Sequence, residues 1–94
     1  MIAIEEIANE LHVSREELLQ RSVVSYMERL LFKAEADILR ITSRHGVQTV
    51  EDLDRLLLAG KTSETAVFED YFTLDALLAE RKKLQQLLDT AQTA

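Results

Sequence analysis

The chain has 94 residues, 47% of them hydrophobic and 30% charged, with a net charge of −6 and neither proline nor cysteine. That length accommodates one domain with a modest core, since a chain this short buries roughly 60 to 70% of the surface its unfolded form exposes. The composition argues against disorder and excludes a disulfide framework and a thiolate zinc site, while the acidic balance disfavours sequence-independent nucleic-acid binding, which needs Lys and Arg to neutralise phosphates.

Taken in chain order, IAIEEIANEL reads as a short amphipathic helix over residues 3–11 that stops at His12 and Val13. Its acids stand where a secretory signal would carry a basic segment. Apolar runs, such as Leu56 to Ala59, are no longer than four residues, far below the ~20 residues of a membrane-spanning helix. These features predict a soluble, cytoplasmic chain with no membrane segment. Ser14 and Glu17 in SREE form a capping-box pattern, so a second helix starts near Arg15. Nothing interrupts it before His45 and Gly46, and the spacing predicts a helix over 15–44, about 45 Å long at ~1.5 Å per residue. Thr49, Glu51 and Asp52 open a third helix that Gly60 closes, over 50–59. Thr62 or Ser63 then caps a last helix over 64–89, with residues 90–94 frayed. No linker or repeat divides the chain, so residues 1–94 form a single all-α domain: a short helix, then two long helices joined by another short one.

The long helices carry broad apolar faces. On the first, Leu19, Val23, Val24, Tyr26, Met27, Leu30, Leu31, Ala34, Ile38 and Ile41 fall within an arc of roughly 160°, wider than the ~100° stripe of a helix with one neighbour. The last helix carries a similar arc through Val67, Tyr71, Leu74, Leu77, Leu78, Leu84 and Leu88. A hairpin of two such rods leaves one side of its core open to water, which predicts a homodimeric helical bundle. The expected dimer interface comprises Val23, Met27, Leu30, Leu31, Ala34, Ile38, Leu74, Leu78, Arg81 and Leu88. Arg81 lies within the leucine stripe with no acid three or four positions away, so it snorkels or pairs with another helix, Asp37 and Asp70 being the candidate partners.

Apolar groups also lie away from the main arcs. Phe32, Leu39, Leu18 and Ala36 cluster behind the first long helix, and Phe68 and Phe72 behind the last. Phe32, Leu39, Phe68 and Phe72 are candidate anchors for a protein partner, because aromatic groups dominate binding hot spots. The competing expectation is that the short helices at 3–11 and 50–59 cover them. No residue set points to catalysis, a metal or a cofactor. His12 and His45 have no acid or second histidine at ligand spacing. The adjacent pairs Glu5–Glu6, Glu16–Glu17 and Glu69–Asp70 point in different directions on a helix. No phosphate loop or histidine-centred triad is present, so the expectation is a chain that is not an enzyme.

Two resemblances bear on function. Ala8, the turn from Leu11 to Ser14 and Leu18 resemble the spacing of a helix-turn-helix, which implies DNA binding as the alternative function. This sequence departs from that pattern at His12, where glycine is usual, and at Glu16 and Glu17, which put carboxylates where phosphates or base edges would lie. Neither half of the chain is basic: residues 1–46 carry six basic against eight acidic side chains, and residues 47–94 carry five against nine. The run RHGVQTVEDLDRLLLAGKTSETAVFEDYFTLDALLAERKKLQQL, residues 44–87, resembles the C-terminal half of small uncharacterised prokaryotic helical proteins, some classed as antitoxins by their position beside a toxin gene. The shared features are His45 before Gly46, the helix start from Val47 to Asp52, the stop at Gly60 and the acidic-aromatic segment from Glu69 to Leu74. That resemblance implies an antitoxin-like protein that neutralises a toxin-like protein partner.

Overall fold

The computed structural model describes residues 3–60 and 64–93. Four helices follow in order: α1 (Ile4–Leu11), α2 (Arg15–Arg44), α3 (Val50–Leu58) and α4 (Glu64–Thr93). No strand occurs among the described residues.

Local chemistry sets most of the helix ends. The Ser14 side chain accepts from the Glu17 amide at 3.0 Å, satisfying one of the free donors at the start of α2. The reciprocal half of the box is absent, because Glu17 pairs with Arg21 at 2.7 Å instead. At the other end of α2, Val47 N–H donates to Thr42 O at 2.9 Å and Gly46 N–H to Ser43 O at 3.2 Å, a Schellman closure around Gly46 at φ +65. A Cβ at Gly46 would meet nothing within 4 Å, so Gly46→Ala meets only the backbone penalty of a left-handed L-residue. The expected loss is about 1 kcal/mol in urea denaturation. Thr49 caps α3 by accepting from the Asp52 amide at 3.1 Å. The cap expected at Thr62 or Ser63 lies outside the described residues.

The C-terminal segment departs from expectation: α4 runs on to Thr93 rather than fraying from residue 90. The Thr90 and Thr93 hydroxyls donate back to Gln86 O and Asp89 O at 3.0 and 2.9 Å, and Gln20 of α2 donates to Ala91 O. The last turn is tied to the opposite rod, and Ala91 is half-buried there.

α2 and α4 pack as antiparallel rods, Gln20 meeting Ala91 at one end and Arg44 and His45 meeting Asp70 at the other. The contact follows alternating three- and four-residue spacing, the period at which a helix keeps one seam against a neighbour. On α2 the seam is Val24, Met27, Leu31, Ala34, Ile38, Ile41 and His45. On α4 it is Val67, Asp70, Leu74, Leu77, Arg81, Leu84, Leu88 and Ala91. Each of these side chains is buried or half-buried. Full burial concentrates near the closed end, where α3 folds back on α4 and adds a third layer. There Ile38, Ile41, Leu53, Val67 and Leu74 form the core, with Val47, Val50, Leu56, Tyr71, Leu77 and Leu78 packed around it. Towards the open end α1 packs on α2 and no third layer like α3 lies on α4, and Val24, Met27 and Leu88 stay half-exposed. The molecule is correspondingly long, 60 × 25 × 18 Å with a radius of gyration of 19.1 Å, against ~12 Å for a compact chain of this length.

Candidate functional site

The polar feature closest to a built site is the end layer of the hairpin. Asp70 occupies a seam position on α4, and His45 continues the α2 seam four residues beyond Ile41. Nε2 of His45 lies 2.7 Å from Asp70 Oδ2, both side chains being largely buried. Arg44 donates to both carboxylate oxygens, at 3.1 and 2.9 Å. The His45 hydrogen bond, reinforced by the Arg44 guanidinium, holds the Asp70 carboxyl below the ordinary carboxylate range, although partial burial opposes the shift. With all its close partners cationic or hydrogen-bonding, this carboxylate clamps the two rods in register.

Within the chain, neither carboxylate expected to partner Arg81 pairs with it. Asp70 is held by Arg44 and His45, and Asp37 pairs with Arg40 at 2.7 Å. Arg81 is half-buried and has no ion-pair partner among the described residues. It lines a cleft of 490 Å³ where the start of α3 meets the middle of α4, beside Thr42, Thr49, Leu78 and Lys82.

The residues expected at a dimer interface divide between two places. Ala34, Ile38 and Leu74 are buried inside the chain, where they form part of the α2–α4 contact and are closed to a second copy. Met27, Leu31, Leu78, Arg81 and Leu88 are half-buried, Leu78 against the core and the others on the seam. Val23 and Leu30 face elsewhere. With Leu19 and Tyr26 they form a second stripe on α2, again spaced by four, three and four residues. Leu19, Val23 and Tyr26 are 38, 49 and 59% exposed. The broad apolar arc of α2 is therefore two seams side by side, of which α4 covers one. Leu19 and Tyr26 belonged to that arc, but its width alone does not separate the seams; the spacing does.

The aromatic candidates stay uncovered. Phe32 and Phe72 are 75 and 67% exposed, and Leu39 and Phe68 are exposed as well. The short helices do not screen them: α3 packs on Ile38, Ile41 and Leu74, while α1 packs on the start of α2. Phe72 is held edge-on by Tyr71, with ring centroids 5.7 Å apart. Phe32 and Leu39 flank a shallow notch of 260 Å³ with Glu35 and Ala36.

At the N-terminus, α1 closes with His12 at φ 58, a left-handed residue in a glycine-like position. Val13 N–H donates to Ala8 O at 3.0 Å, and Ala8 is buried in the crossing. The eight-residue helix is thus followed by a short turn and the start of α2, with His12 in the left-handed conformation that glycine adopts most readily. Glu5, Glu6, Glu10 and Glu16 are exposed on this unit.

Fold and surfaces together define a small helical-hairpin protein with uncovered apolar stripes, and among its described residues no group of three metal-ligating side chains converges. No helix of the described residues is long and apolar enough to cross a membrane. The chain belongs to the uncharacterized protein MJ0235 family, whose model matches residues 1–93. No curated protein and no solved structure gives a significant match.

Proposed function

We propose that this protein is a cytoplasmic, self-associating helical module that binds a partner protein, in the manner of an antitoxin masking a toxin-like enzyme. The observation that supports the reading is the exposure of Phe32, Leu39, Phe68 and Phe72. Large apolar side chains held on rigid helices lose little entropy on docking and gain the area that drives association. Co-expression with the product of the neighbouring gene tests it. The expected result is a complex that purifies intact and relieves any toxicity, weakened at least tenfold by the double change Phe68→Ala, Phe72→Ala. No complex and no relief of toxicity would sink the reading.

One observation favours a second reading, a DNA-binding regulator: the left-handed turn at His12 sets α1 against α2 with helix-turn-helix connectivity. The carboxylates of Glu5, Glu6, Glu10 and Glu16 weigh against it, since each repels phosphate. Salt-dependent retention on duplex DNA at 50 mM salt is the outcome this second reading requires.

A further inference from the structure

The second stripe on α2, exposed at Leu19, Val23 and Tyr26 and half-buried at Leu30, has a symmetric spacing. Its heptad spacing extends one step at each end, to Glu16 and to Lys33, giving the series Glu16, Leu19, Val23, Tyr26, Leu30, Lys33. The series is palindromic about a point between Val24 and Ser25. A second α2 laid antiparallel across that point sets Leu19 against Leu30 and Val23 against Tyr26, with Glu16 against Lys33 at both ends. A parallel second copy would set glutamate against glutamate and lysine against lysine. Glu16 and Lys33 are exposed, and neither has an ion-pair partner among the described residues.

We infer that this stripe is an isologous interface, and that its occupant is the same stripe of a second copy running antiparallel. The inference rests on the self-associating part of the reading above and assigns that property to a surface. Area supports it. The chain exposes 7175 Å², roughly 1,700 Å² more than the ~5,500 Å² of a compact chain of this mass. A standard interface removes ~800 Å² from each partner, which that excess readily supplies. Position supports it too: beyond Lys33 the same row continues as Asp37, Arg40 and Arg44, all held in ion pairs. The apolar surface thus stops where the charged rim begins. At the other end Ile4 and Ile7 of α1 wall a notch of 290 Å³ beside Leu19, extending the apolar contact.

A charge-swap series on the full chain, followed by sedimentation equilibrium, tests the assignment. Wild type is expected to be a dimer at micromolar concentration. Glu16→Lys and Lys33→Glu each place like charges at both ends and should weaken the dimer about tenfold, whereas the double variant restores it to within about threefold of wild type. Val23→Asp should give a monomer of unchanged helix content, because Val23 is not part of the hairpin core. A monomeric wild type would overturn self-association and this interface together. A dimeric wild type whose affinity ignores both single reversals, or is not restored by the double one, would overturn the interface alone.

Discussion

Truncating Leu53 to alanine is expected to lower the unfolding free energy by about 3 kcal/mol, the largest effect of any single change considered for this chain. Leu53 is fully buried and is the α3 side chain inserted among Ile38, Ile41, Val67 and Leu74. Neighbours anchored on two long rods close poorly around a void, so most of the cavity term is retained. For a domain of this size the loss corresponds to a fall in Tm of about 15 °C. Leu58→Ala on the same helix is the control, because Leu58 is 82% exposed and its truncation should change stability by no more than about 0.5 kcal/mol. Thermal unfolding followed by circular dichroism decides the matter. Equal effects at the two positions would show that α3 does not hold the closed end together.

The second large effect is expected at Asp70. Asp70→Ala removes the acceptor of Arg44 and His45 at once, and hydrogen bonds to a charged, largely enclosed group predict a loss of about 2 kcal/mol at pH 7. The sign of the pH dependence follows from the lowered carboxyl. A group whose folded pKa lies below its unfolded value stabilises the fold above the unfolded pKa, and that contribution disappears as pH falls through the folded one. Wild type should therefore lose stability between about pH 5 and pH 3 more steeply than Asp70→Ala, and the gap between them should narrow with acid. Urea denaturation at pH 7, 5 and 3 measures it. A gap that stays constant over that range would mean that the clamp does not depend on the ionised carboxylate.

The helix boundaries were legible because their causes are local. Ser14, Thr49, Gly46 and Gly60 act on amides and carbonyls within five residues, through cap hydrogen bonds or a left-handed φ, and each sits where its helix starts or stops. His12 shows the limit of reading residue types alone. It adopts the left-handed turn that glycine usually takes, a conformation histidine tolerates better than most side chains. The tail shows another limit, since Gln20 and Ala91 lie far apart in sequence and only the antiparallel pairing of α2 with α4 brings them together.

The surfaces were legible as residues but not as places. A wide apolar arc on α2 indicated more than one neighbour, and Phe32, Leu39, Phe68 and Phe72 stood out by type; neither observation says which residues a single chain covers. By itself the sequence determined four helices, those of their ends that a local cap or glycine sets, and an excess of apolar surface, because capping, backbone freedom and helical period operate over a few residues. Only the tertiary structure decided that α4 takes the seam from Val24 to His45, that α3 covers Ile38 and Ile41 rather than Phe32 and Leu39, and that Asp70 belongs to His45 and Arg44 rather than to Arg81. Those choices depend on the rotational phase and axial register of one rod against another, set by how side chains distant in sequence fill each other's gaps.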